Sequence, residues 1–183
     1  MGYDVYSIFS VLGFLYDLSR SCSWSRRVSG LILPEKCGKS NLCNGLTSRR
    51  CVLVDLDEVL KSSSENSDKI QRLKQRGDYQ TLTLLVMKEA GELLGQIKKL
   101  HKYKRLILVS SSSELLDSLR VPYGLYVPSN NLTNEIVGKL PSELKPCFES
   151  SRQVLIQNKA AVFGSWEELS NIIAEKFDLQ RKL

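Results

Sequence analysis

Apolar positions along this chain follow two rhythms. Five short, mainly apolar runs stop at proline, glycine, acid or serine: "VSGLILP" from Val28, "CVLVDLD" from Cys51, "RLILVSS" from Arg105, "YGLYVP" from Tyr123 and "AAVFG" from Ala160. Continuous apolar runs of this length read as strands buried on both faces. Elsewhere the period is helical. Leu82, Val86, Ala90, Leu93, Ile97 and Leu100 mark a long helix over Tyr79 to His101, and Trp166, Leu169, Ile173 and Phe177 make one face of a final helix. Ser111 with Glu114, and Ser165 with Glu168, are capping-box pairs that open helices. A short helix is expected from Ser40 to Ser48, and the polar stretch "SSSENSDK" reads as a loop.

Buried strands alternating with helices predict an α/β domain, a parallel sheet of about five strands with helices on both faces. That domain is expected over residues 28–183. Before it, residues 1–27 read as an N-terminal helix, with Ile8, Phe9, Leu12, Leu15 and Tyr16 packing inward, followed by a basic connector. Asp4 and Asp17 interrupt the apolar N-terminus and no leading positive charge is present, so neither a signal peptide nor a membrane span is expected there. Tyr6 stands where a myristoylation motif wants Ser or Thr.

Composition adds two constraints. The net charge of +6 draws anions, whether nucleotide, nucleic acid or acidic lipid. Five irregularly spaced cysteines and a single histidine, His101, argue against a zinc site and for free thiols in a reducing, cytoplasmic setting.

The candidate chemistry begins at "LILPEKCGKSNL", residues 31–42. Pro34, Glu35, Lys36, Cys37, Gly38, Lys39, Ser40 and Asn41 lie between the first strand and its helix, where open α/β sheets bind ligands. Gly-Lys-Ser at such a turn fits phosphate: glycine admits close approach of the backbone, lysine reaches the β- and γ-phosphates, and the serine hydroxyl faces Mg²⁺. The second strand ends in Asp55 and Asp57, two positions whose alternation predicts one shared face beside that loop. Paired carboxylates there can hold a metal and accept a proton, or can simply end the strand and cap the next segment.

The Gly-Lys-Ser loop, the short helix and an Asp-x-Asp strand end sixteen residues after the lysine resemble the shikimate, gluconate and nucleoside monophosphate kinases of the P-loop fold. The order of elements is similar over roughly residues 28 to 178. The resemblance implies a three-layer P-loop kinase-like domain that binds ATP and Mg²⁺ and phosphorylates a small-molecule acceptor. It implies nucleotide phosphates at Lys39 and Ser40, metal at Ser40 and Asp55, and the acceptor hydroxyl at Asp57. Lys139, Lys145 and Arg152 are its candidates for a basic lid over the phosphates, and Gly164 and Ser165 would lie near the adenine. The chain departs from that pattern at Leu33, which replaces the loop's first glycine, at the bulky Pro34-Glu35-Lys36, and at Ser110 to Ser113, which replace a glycine-rich acceptor turn.

Two other functions fit the sequence. One is a P-loop-fold module that keeps the fold without turnover and serves in assembly. The other is nucleic-acid binding through "KKLHKYKR", Arg26-Arg27 and Arg49-Arg50.

Overall fold

A computed structural model describes residues 27–62 and 67–181. The helix expected before residue 27 lies outside the described residues.

All five apolar runs are strands of one sheet. They are β1 (Val28–Ile32), β3 (Cys51–Asp55), β4 (Arg105–Ser110), β5 (Tyr123–Pro128) and β6 (Ala161–Phe163). The spatial order is β3-β4-β1-β5-β6, and every pair is parallel. Two short strands, β2 (Leu46–Thr47) and β7 (Gln180–Arg181), pair antiparallel beside the sheet.

Strand alternation divides the core into two layers. On one face Leu31, Ile107, Val109 and Tyr126 pack with Leu42 of α1 (Lys39–Gly45), Leu132 of α6 (Asn130–Lys139) and Leu169, Ile173 and Phe177 of α8 (Trp166–Phe177). On the other, Ile32, Leu106, Leu108 and Val127 pack with Leu56 of α2 (Leu56–Ser62), Ala90, Leu94 and Ile97 of α4 (Tyr79–Leu100), and Leu115 and Leu116 of α5 (Ser113–Ser118). The remaining helices are α3 (Ser67–Arg76) and α7 (Lys145–Gln157), the latter preceded by a 3-10 turn at Ser142–Leu144. Helices therefore cover both faces of an all-parallel sheet.

Several expected boundaries move. Residues 67–69 of the polar "SSSENSDK" stretch belong to α3 rather than to a loop. Helix α5 is capped one residue later than expected, because Ser112 Oγ, not that of Ser111, accepts the Leu115 N–H at 3.1 Å. Leu100, expected on the buried face of the long helix, is 80% exposed; the covered stripe is Ala90, Leu94 and Ile97. The final helix opens as its sequence predicts, with Ser165 Oγ accepting from the Glu168 N–H at 3.1 Å and Glu168 Oε2 accepting from the Gly164 N–H at 2.6 Å. Among the described residues no helix is long and apolar enough to cross a membrane.

Topology places the site. From β1 the chain crosses to the edge strand β3, returns to β4, then passes β1 to reach β5. The segments leaving β4 and β1 thus diverge at adjacent strand ends, which opens a crevice between them.

Candidate functional site

Residues 33–40 leave β1 into that crevice. Leu33 continues the strand by one residue, its N–H donating to the Ser110 carbonyl at 3.0 Å, and its side chain is fully buried with Cys37, Leu42 and Phe148. Leucine at this position is a core anchor. Pro34 is buried behind it, and Glu35 is held from the side by α7: its N–H donates to Ser151 Oγ at 3.0 Å, and the Cys147 thiol donates to its carboxylate at 2.7 Å. The chain then turns through two left-handed positions, Lys36 (φ 61°) and Gly38 (φ 87°). Only glycine adopts that region without cost, so Lys36 carries a strain of about 1 kcal/mol. Burial pushes the Cys37 thiol up to about 12, so it is a packing group rather than a nucleophile. Asn41 is exposed on the first turn of α1.

Two side-chain pairs tie the loop to the acids. Ser40 Oγ donates to Asp55 Oδ2 at 2.8 Å, and Lys39 Nζ lies 3.1 Å from Asp57 Oδ2. The Lys39 side chain is 7% exposed and that of Asp57 17%. The expectation that both acids share one strand face is corrected here. Strand β3 stops at Asp55, whose Oδ1 accepts the Glu58 N–H at 3.2 Å, so Asp55 also caps α2 and Asp57 sits in that helix's first turn. Helical geometry swings Asp57 across the end of β4, where Ser110 Oγ donates to Oδ1 at 2.7 Å and Ser111 donates to Oδ2 from both N–H (3.0 Å) and hydroxyl (2.7 Å). Burial opposes ionisation of Asp57, but Lys39 and the two serine hydroxyls outweigh it and hold the carboxyl below the usual aspartate range. Asp57 is therefore an anion at neutral pH.

Two clefts adjoin the loop, and a third begins at Asp57. The smallest, about 220 Å³, is lined by Glu35, Lys36, Gly38, Lys39, Ser40, Asp55, Asp57, Glu58 and Lys61. Three lysines and four acids leave it a formal charge of −1. A second, about 490 Å³, lies between the loop, α6 and α8 and includes Lys36, Gly38, Lys139 and Trp166. A third, about 400 Å³, runs from Asp57 along Leu60, Leu82, Val86, Met87 and Leu115.

Of the lid candidates, Lys139 reaches the second cleft, whereas Lys145 and Arg152 line neither cleft beside the loop. Lys145 is half-buried as the first residue of α7. Arg152 donates to the Pro128 carbonyl (3.3 and 3.2 Å) and to Asn130 Oδ1 (2.7 Å), which fastens α7 to the junction of β5 and α6. Neither Gly164 nor Ser165 lines the second cleft; Trp166 does, with its ring beside Gly38. The helical spacing that places Trp166 in phase with Leu169 and Ile173 reads as core, so periodicity gave no sign of this second contact. The partnership of Ser110 and Ser111 with Asp57 spans more than fifty residues and had no local signal.

The residues fit Mg²⁺ only in the company of phosphate. Among the described residues no group of three or more His, Cys, Asp or Glu is placed to hold a metal. Mg²⁺, however, takes one or two protein oxygens and fills its octahedron with phosphate and water. Ser40 Oγ, its proton directed at Asp55, keeps lone pairs free for such a role.

Neither a family model, a curated protein nor a solved structure matches this chain.

Proposed function

We propose that the chain binds a nucleoside triphosphate with Mg²⁺ through residues 34–41 and transfers its terminal phosphoryl group to a small hydroxyl acceptor. The observation that carries this reading is the double pairing at the crevice: a buried lysine on Asp57 and a serine on Asp55, both on the loop that leaves the central strand. A buried ammonium and two buried or half-buried carboxylates are costly to assemble, and they support a site where charge is to be exchanged. Triphosphate oxygens would take Lys39 from Asp57. Ser40 and Asp55 would hold the metal, which would supply charge neutralisation to the phosphates. Because the small cleft carries −1, the bare triphosphate is repelled about twice as strongly as its magnesium complex, which keeps about half the negative charge. The acceptor would lie in the cleft beyond Asp57, its hydroxyl against that carboxylate as general base. Trp166 and Lys139 would face the nucleoside end.

Calorimetry of ATP with the wild type and with Lys39→Ala, with Mg²⁺ present, tests the reading. The variant should bind about 2–4 kcal/mol more weakly, the scale of a charge-assisted contact in a partly dry site. Equal affinity in both proteins would reject the phosphate role of Lys39.

The tight engagement of Asp57 by four donors favours one second reading, a phosphate-binding module without turnover, because a carboxylate held this low is a weak base. Mg²⁺-dependent ATP binding with no phosphoryl transfer to any hydroxyl acceptor would select it.

A further inference from the structure

The crevice uses one end of the sheet. The other end collects charge that the phosphate site does not explain. Strands β1, β3 and β4 run parallel, so the residues just before them emerge together. The Leu106 N–H donates to the Arg27 carbonyl at 2.8 Å, and the Arg105 N–H to the Arg50 carbonyl at 2.7 Å. Arg27, Arg49, Arg50 and Arg105 are all exposed there. The end of α4 and the turn after it add Lys99 and Lys102, also exposed, with Lys104 half-buried. Three basic segments far apart in sequence thus form one surface.

Helix-dipole stabilisation accounts for a lysine in the last turn of α4, but not for four arginines outside helices. Among the described residues none of those arginines forms an ion pair. Arg49 and Arg50 instead line a concave site of about 330 Å³ with Ser48, Gln180 and one acid, Asp178. Beside the cations, Tyr103 is 89% exposed, with Lys102 Nζ 5.7 Å from its ring centroid. The Arg105 guanidinium also lies over the Phe177 ring, 5.1 Å from its centroid, but clustered like charges without carboxylate partners still repel one another and are relieved by a polyanion.

We propose that this end of the sheet binds single-stranded nucleic acid, with phosphates along Arg27, Arg49, Arg50, Arg105 and Lys102 and a base stacked on Tyr103. Arginine's planar fork matches phosphate oxygens two at a time, and an exposed aromatic ring beside cations is how sequence-tolerant single-strand sites hold bases. Attraction to an acidic bilayer asks only for positive charge on a surface, not for a cleft with a serine hydroxyl and an amide in it. The five-residue strands separate this surface from residues 34–41 by about 15 Å at 3.3 Å per residue, so the two sites are independent.

Fluorescence anisotropy of a labelled uridine 20-mer on the full chain, titrated between 50 and 200 mM NaCl, tests this. Five phosphate contacts predict a slope of log K on log salt of about −3.5, at about 0.7 per contact for a single strand. The Arg49→Gln/Arg50→Gln double variant should lose at least tenfold in affinity at low salt and about 1.4 in slope. Tyr103→Ala should weaken binding about fivefold or more with an unchanged slope, since stacking carries no counterions. Asp178→Asn should strengthen binding severalfold. ATP affinity should stay at the wild-type value in all three. No binding at 50 mM NaCl, an unchanged slope in the double variant, or binding to phosphatidylserine vesicles in place of the oligonucleotide would each overturn the proposal. Should the double variant melt early, Tyr103→Ala decides alone, because so exposed a side chain supports no packing.

Discussion

Replacing Asp57 by asparagine separates what this residue does for the free protein from what it does for a ligand. The geometry tolerates the change. An amide oxygen at the Oδ2 position still accepts from Ser111 and Lys39, and the amide nitrogen meets Ser110 Oγ, a hydroxyl that can turn to accept. What disappears is the charge opposite a lysine only 7% exposed. Leaving a buried ammonium without its counter-ion costs about 3–5 kcal/mol in full burial, and the open cleft and surviving hydrogen bonds reduce this to about 2–4 kcal/mol. The pH dependence has a definite sign. Asp57 titrates below the usual aspartate range in the folded protein, so its contribution is complete above that range and is lost as pH falls through the lowered folded value. Urea unfolding of the wild type should show this acid limb, and Asp57→Asn should lack it. For bare ATP in EDTA the variant should do the opposite of what it does to stability. It frees Lys39 and removes a negative charge that would face the phosphates across that ammonium, taken as about 8 Å away. At an effective dielectric of 20 that is worth about 2 kcal/mol before the opposing ion pair is counted, and about 1–2 kcal/mol after it. Calorimetry should therefore record affinity about five- to thirtyfold higher in a less stable protein. A variant as stable as the wild type, or one that binds bare ATP more weakly, refutes the assignment of Lys39 as a group shared between Asp57 and phosphate.

Other variants probe the frame around the site. Leu33→Gly should lose about 3–5 kcal/mol in urea unfolding, a buried leucine plus the entropy of a new glycine, with no gain in ATP affinity; a folded variant that binds ATP tenfold better would show that the leucine blocks the loop. Gly30→Ala should cost about 1–3 kcal/mol, because a Cβ there meets Tyr123 Cβ at 2.8 Å as well as the Leu116 side chain; an unchanged melting temperature would mean that β5 and α5 can give way. Cys37 and Cys43, both pushed up to about 12 by burial, should resist a thiol reagent at pH 8 until the chain unfolds, while exposed Cys147 reacts in the native state; rapid native labelling mapped to Cys37 by mass spectrometry would contradict the closed loop.

The strands, the long helix and the placement of Gly38-Lys39-Ser40 after the central strand were legible in the sequence because each is written locally. A run of apolar residues has few ways to leave water, and a capping pair such as Ser165 and Glu168 acts within one turn. The polar start of α3 was misread because polarity reports exposure, not conformation, and a helix lying on the surface is polar too. The same limit governed the acids. Alternation along a strand puts Asp55 and Asp57 on one face only if the strand continues, and it ends when Asp55 caps α2. Which serine caps α5 depended on Asp57 claiming Ser111, a contact between residues 54 apart in sequence. Likewise, Arg152 is spent on Pro128 and Asn130, and the separate arginines at 27, 49, 50 and 105 become one surface because parallel strands begin at a common end. Local pattern determines which segments are buried and how they start. Which buried or charged groups become partners is set by strand order, since residues distant in the chain meet only when the sheet has brought their ends together.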